Sequence, residues 1–226
     1  MNGDRTSSVT WALAGVAGLV AVWEAAVRIF DVRPFVLLAP SEIVTTFLDD
    51  PGFFLGHTAT TARHLALGLL GSLIIGVSVG ALLAASRRAE IAAQPTLVLM
   101  MVTPWVAYIT SIVLLVGFGE PTVLFLTVFV TIPAFVYATV GGMRSADDAA
   151  RELFASVDAT RREVLWRLRL PSAIPALFTA SRFNIGLGLA AAYFAEGSAF
   201  SSDGLGAIGR QAAQNSSETL WTTILC

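Results

Sequence analysis

Residues 144–171 read RSADDAARELFASVDATRREVLWRLRLP, and the fold follows from the contrast between this stretch and its surroundings. It holds six of the chain's fourteen basic residues, while the segments on either side are apolar enough for a lipid bilayer. A polar island of this kind lies in water on one side of the membrane. Its pattern predicts a short helix over 147–157 with Leu153, Phe154 and Val157 on one face. A second helix is predicted over 161–170, with Leu165 and Leu168 on one side and Pro171 ending it by removing a backbone donor. A solvated loop whose arginines only set topology would explain the charge. It would not explain apolar residues at helical spacing in water, which call for a partner surface.

The whole chain fits that reading. Of its 226 residues 55% are hydrophobic and only 13% charged, with a mean hydropathy of +0.73. A soluble domain carries about 25% charged residues, so the class is all-α integral membrane. The net charge of −2 excludes the dense basic footprint of a nucleic-acid binder. A single cysteine, Cys226, excludes an internal disulfide and a cysteine-based metal cluster. The first apolar segment is too long for a signal-peptide core and reads as a retained span.

A crossing takes about 20 residues at 1.5 Å each. Five segments qualify: 8–30, 65–85, 96–116, 121–141 and 176–195. The rest of the single domain, 1–226, is an amphipathic interfacial segment at 34–64, the polar loop 142–175, an external loop at 197–217, and the start of a sixth span at 218–226. The seven residues from Leu220 to Cys226 cannot cross a bilayer, so the chain is expected to be truncated within that span. Ser41 suits a helix start and Pro51-Gly52 a helix end. Only Gly117-Phe118-Gly119-Glu120 separates the third and fourth spans, which predicts a tight hairpin. With the N-terminus inside, nine arginines fall inside (5, 87, 88, 144, 151, 161, 162, 167, 169) and three outside (33, 63, 210), leaving out Arg28 and Arg182 as near span ends. The positive-inside rule favours this orientation and puts the island in the cytoplasm.

Gly68, Ser72, Gly76 and Gly80 recur every four residues on one face of the second span. The ordinary reading is close helix packing, and the sharper one a conduit wall. Pro104 and Pro133 interrupt spans three and four as kinks tolerated in lipid. His57 and His64 lack the companions a zinc site needs and read as interfacial polar residues. No P-loop and no Gly-x-Ser-x-Gly elbow occurs, so any ATP is bound by another chain. Glu24 has Arg28 one turn on as a partner. Glu196, at the end of the fifth span before a Gly/Ser-rich loop, reads as an end-of-helix residue or an outer gate.

These residues taken in order resemble the permease subunits of binding-protein-dependent ABC importers, nearest to the nitrate/sulfonate/taurine group. That family carries a cytoplasmic loop of Glu-Ala-Ala, three residues, Gly, nine residues, then Ile-x-Leu-Pro. Here Glu152, Leu168, Leu170 and Pro171 fall on the Glu, Ile, Leu and Pro with the spacing kept. Leu153-Phe154 replaces Ala-Ala and Asp158 replaces Gly. Trp23-Glu24, Pro34-Phe35, Ala39-Pro40-Ser41, Ser86-Arg87-Arg88, Pro95, Thr103-Pro104, Gly117-Phe118-Gly119, Ala195-Glu196 and Gly204-Leu205-Gly206 follow the family in order, from roughly residue 20 onward.

The resemblance implies the type I importer transmembrane fold and no bond chemistry in this chain. Glu152, Leu153, Phe154, Val157, Asp158, Ala159, Leu168, Leu170 and Pro171 would couple to an ATPase. Glu196, Pro104, Gly204 and Gly206 would belong to the translocation path or outer gate. The implied partners are two cytoplasmic ATPase subunits holding ATP and Mg, a second permease (a copy or a paralogue), a periplasmic or lipid-anchored solute-binding protein, and the lipid of a bacterial inner membrane. Asp in place of Gly at 158 predicts either a rearranged turn or a side chain capping a helix from Ala159. An unusual docking loop would suit pairing with a different permease that bears a more regular one. A non-conducting accessory or energy-coupling subunit is the competing reading. An intramembrane enzyme lacks its catalytic set.

Overall fold

A computed structural model describes residues 3–198 and 201–226, with side chains from Thr10 onward. The helices run α1 Gly3–Ile29, α2 Pro40–Asp49, α3 Pro51–Ala84, α4 Arg87–Val102, α5 Ile109–Val116, α6 Glu120–Arg144, α7 Asp148–Ser156, α8 Arg161–Val164, α9 Leu170–Ser198, α10 Leu205–Asn215 and α11 Ser217–Leu225. No strand occurs among the described residues. By length and apolarity α1, α3 and α6 can each cross a membrane, or four segments if α4 and the stretch after it count as one broken span. α9 is long enough but carries Arg182 and Asn184 in its middle, and it is not among the three.

The centre is a three-helix bundle with α6 packed on both α3 and α9. The small-residue stripe explains how α3 approaches. Gly68, Ser72, Gly76 and Gly80 are buried against α6, with Gly68 on Thr127, Gly76 on Phe135 and Gly80 on Thr139. The constant offset of these pairs means that the two helices run parallel in a fixed register. A Cβ at Gly76 would lie 2.5 Å from Phe135 Cβ, and one at Gly80 2.6 Å from Thr139 Cβ. The stripe is therefore a packing seam in this chain, and the conduit-wall reading of it does not hold. On the other side α9 runs antiparallel to α6. Gly142 meets Ala173, and the Asn184 Nδ2 donates to the Thr131 carbonyl at 3.1 Å.

Several elements differ from the sequence reading. The 34–64 segment is not one interfacial piece: residues 51–64 belong to α3. Pro51 both stops α2 and opens α3, whose first turn is capped by the Asp50 carboxylate accepting from Phe53 N at 3.0 Å. The third span is broken rather than kinked, with the flanking helices bent by 88°. Pro104 sits at the break because it forces Thr103 into an extended conformation, ψ 131°. Pro133, by contrast, lies buried inside an unbroken α6. Pro171 ends nothing. The chain is helical from Arg161 through Ser198, passing through a π-helical turn at Leu165–Arg169 in which Leu170 N bonds to Leu165 O. The wider turn makes room for the proline ring where an α-turn would clash. The predicted hairpin forms, with Gly117 and Gly119 at φ 104° and 87°.

The loop after α9 is more structured than its composition suggests. It contains α10, with Leu205, Gly206, Ala207 and Ile208 buried; Ala199 and Phe200 lie outside the described residues. α1 is tied to the rest through Glu24, which accepts from Ser41 N at 3.0 Å and Ser41 Oγ at 2.8 Å besides pairing with Arg28 at 2.6 Å.

Candidate functional site

At one end of the bundle α3 and α9 converge on the start of α10. A helix N-terminus leaves amide donors without intrahelical partners. Here side chains from elsewhere in the fold take three in a row. Gly204 N donates to His57 Nδ1 at 3.1 Å, Leu205 N to Thr61 Oγ1 at 2.8 Å, and Gly206 N to Glu196 Oε2 at 2.9 Å. Glu196 is fully buried. Its second oxygen accepts from His64 Nδ1 at 2.8 Å, and Thr61 Oγ1 donates to Oε2 at 2.9 Å. These partners assign the tautomers: neutral His57 carries its proton on Nε2, and neutral His64 on Nδ1. The carboxylate sits at the positive end of α10, where a negative charge is favoured.

The geometry leaves no room for larger residues. Gly204 has φ 106°, and a methyl there would overlap the Glu196 carboxylate; a methyl on Gly206 would overlap the Tyr193 carbonyl. The cluster is thus a clamp holding α10 across the bundle end. Beside it a cleft of about 580 Å³ is lined by Arg63, His64, Glu120, Ser201 and Asp203, and Arg63 pairs with Glu120 at 3.0 Å. Among the described residues no group of His, Cys, Asp and Glu could hold a metal ion.

Of the residues predicted for a gate, Glu196, Gly204 and Gly206 come together. Pro104 does not join them, and its neighbour Trp105 meets Phe194 edge-on at 5.9 Å. Glu196, two residues from the end of α9, is buried and fully partnered, and the histidines are not loose polar residues. Thr61 and His64 continue the buried face of Gly68 and Gly76 at helical spacing, a signal present in the sequence.

At the opposite end lies the island. Arg144 at the close of α6 pairs with Glu90 of α4. Leu153 on α7 and Val157 at its C-cap are 62% and 67% exposed, with Glu152 exposed beside Leu153 and Phe154 half-buried. Asp158 sits at φ 51°, the left-handed conformation a glycine would take. Ala159 N bonds Phe154 O at 3.0 Å and Asp158 N bonds Ala155 O at 3.2 Å, which is the Schellman closure of a helix. The turn is therefore regular despite the substitution, and the unusual docking loop expected there does not occur. Asp158 does not cap the next helix either. Thr160 does, in a reciprocal box with Glu163. Leu168 is buried and Leu170 half-buried, so both face the bundle, while Pro171 is exposed and Ala159 half-buried. Trp166, 63% exposed, is a further exposed apolar residue of the island and was missing from the predicted set.

The family model described as the binding-protein-dependent transport system inner membrane component matches residues 72–226, which takes in the island and the Glu196 and α10 side of the clamp, while His57, Thr61 and His64 precede it. This chain belongs to that family. It is a multi-pass membrane permease of the ABC importer class. Similar proteins include the formylaminopyrimidine transport permease ThiX of Halalkalibacterium halodurans, 28% identical over 79% of this chain and 71% of that one. The taurine transport permease TauC of Escherichia coli is 25% identical over 80% and 68%. A putative aliphatic sulfonates transport permease, SsuC of Bacillus subtilis, is 27% identical over 76% and 63%.

Proposed function

We propose that this permease, with a second permease, forms the solute path of an ATP-driven importer, and that α7 docks on a cytoplasmic ATPase. The observation that carries the docking is the exposed pair Leu153 and Val157 on a short helix otherwise surrounded by charge. Water does not favour such a face, and a groove on a partner covers it by the helix-in-groove mode. The regular turn at Asp158 holds α7 at a fixed angle to α8 and α9, so movement of α7 is passed to the bundle. The arginine asymmetry favours a cytoplasmic setting for this end and for the N-terminus. ATP and Mg belong to the ATPase chains. A solute-binding protein meets the opposite end, where the clamped α10 lies. The names of the relatives point to a small polar solute such as a sulfonate or an aminopyrimidine.

Glu152→Lys and Phe154→Asp test this reading in the assembled transporter. Both are expected to abolish ATPase co-purification and uptake while membrane insertion is unchanged. Normal ATPase assembly and uptake in both variants would remove the docking assignment.

A further inference from the structure

Arg182 occupies an unusual place. The contact of Asn184 with Thr131 sets its height, because Thr131 lies about 17 Å and about 20 Å along α6 from the two helix ends. Arg182 is thus a mid-height residue, not one near a span end. It is the only charged residue in the middle of α3, α6 and α9. Two residues are about 200° apart on a helix, so Arg182 lies opposite buried Asn184 and is exposed. Among the described residues it has no hydrogen bond or ion pair.

A guanidinium stays charged in any protein environment. At mid-height it has about 15 Å of hydrocarbon on either side, beyond the reach of its side chain. Such a charge is costly in lipid and normally faces a partner or a water-filled cavity. Its own face supplies a cavity. Thr179 and Gly186 lie one turn to each side. From Gly186 the face opens into a space of about 760 Å³, lined also by Leu189 and Tyr193 of α9, Leu65 of α3 and Thr223 of α11.

We propose that Arg182 is the anion-selecting residue of the solute path. It lies one turn of α9 below Gly186, the first residue of that helix to line the cavity, and its guanidinium fork takes the oxyanion of the passing solute, whether carboxylate, sulfonate or inorganic. The planar fork matches two oxygens at once, and a single such contact is strong enough to select and weak enough to release. This inference rests on the permease reading.

The test uses charged thiol reagents as probes in the assembled transporter. In a Cys226→Ser background, Thr179→Cys and Gly186→Cys each report on the face beside Arg182; nothing lies within 4 Å of a Cβ at Gly186, so the second change is accommodated. Both cysteines should react with methanethiosulfonates from water. The anionic reagent should be favoured over the cationic by about tenfold, relative to a free thiol in solution. Arg182→Gln should erase the preference and Arg182→Lys keep it. Unreactive cysteines, or a preference that survives Arg182→Gln, would overturn the proposal. ATPase co-purification of the same variants separates the two readings. Unreactive cysteines in a complex that keeps its ATPase sink the Arg182 site alone, whereas an anion-preferring cysteine in a chain that binds no ATPase sinks the coupling assignment alone.

Discussion

Asp158 pays a backbone cost for a turn that glycine makes freely. A non-glycine residue in the left-handed region is disfavoured by roughly 1 kcal/mol, less for Asp than for most. Asp158→Gly should therefore stabilise the α7 turn by about 0.5–1 kcal/mol, read as a small rise in thermal midpoint in detergent. A lower midpoint would mean that the Asp158 side chain has a role its φ does not reveal. At the other end the ordering is reversed, because the glycines there are steric necessities. Gly206→Ala should cost about 1–3 kcal/mol or more, since backbone opposes the added methyl. Glu196→Ala should cost about 3–5 kcal/mol, because it strands the donors of Thr61, His64 and Gly206 in a buried place. Unchanged melting of either variant would show that the clamp is not holding α10. Glu163 gives a pH signature. Hydrogen bonds from the Thr160 backbone and then its side chain hold the carboxyl below its ordinary value of 4.5. Its contribution is complete above that value and disappears as pH falls through the lower native one. Amide protection of the 160–164 turn should be flat from neutral pH to about 4.5 and decline only below it.

Helices whose apolar pattern was continuous were legible in the sequence, and their interruptions were not. α6 and the α5–α6 hairpin follow from apolar length and from Gly117 and Gly119. The α3 stripe was visible as a face, but its use as a seam against α6 depends on the parallel register, which no local pattern reports. Pro104 and Pro171 look alike in sequence and behave oppositely. One follows a residue held extended and breaks the chain by 88°, while the other follows a π-helical turn and is carried through. Glu196 looked interfacial because its side-chain partners, Thr61 and His64, are far away in the chain on α3, and because α10, whose Gly206 amide it accepts from, was read as loop. Gly76→Val should cost about 1–3 kcal/mol by overpacking the seam. Gly141→Ala on the open face of α6, where nothing lies within 4 Å of an added Cβ, should be neutral or slightly stabilising. Equal effects of the two substitutions in a thermal-unfolding comparison would show that α3 and α6 do not pack as described.

Taken whole, the molecule is a bundle with two differently equipped ends. One is locked internally by side chains that cap α10, and the other presents the apolar face of α7 outward on a rigid turn. Only 6% of the apolar window of α1 is buried and α4 has no buried residue, so both offer their surfaces to lipid and to other chains. Transport on this account is relative movement of two such bundles, driven at the α7 end and felt at the α10 end. The central claim is that α7 is seated on a motor inside the cell. Val157→Cys in a Cys226→Ser background tests it most directly, using a membrane-impermeant maleimide on intact cells and on everted vesicles. The account predicts labelling in everted vesicles alone, suppressed when the ATPase subunit is bound; labelling of intact cells would contradict it.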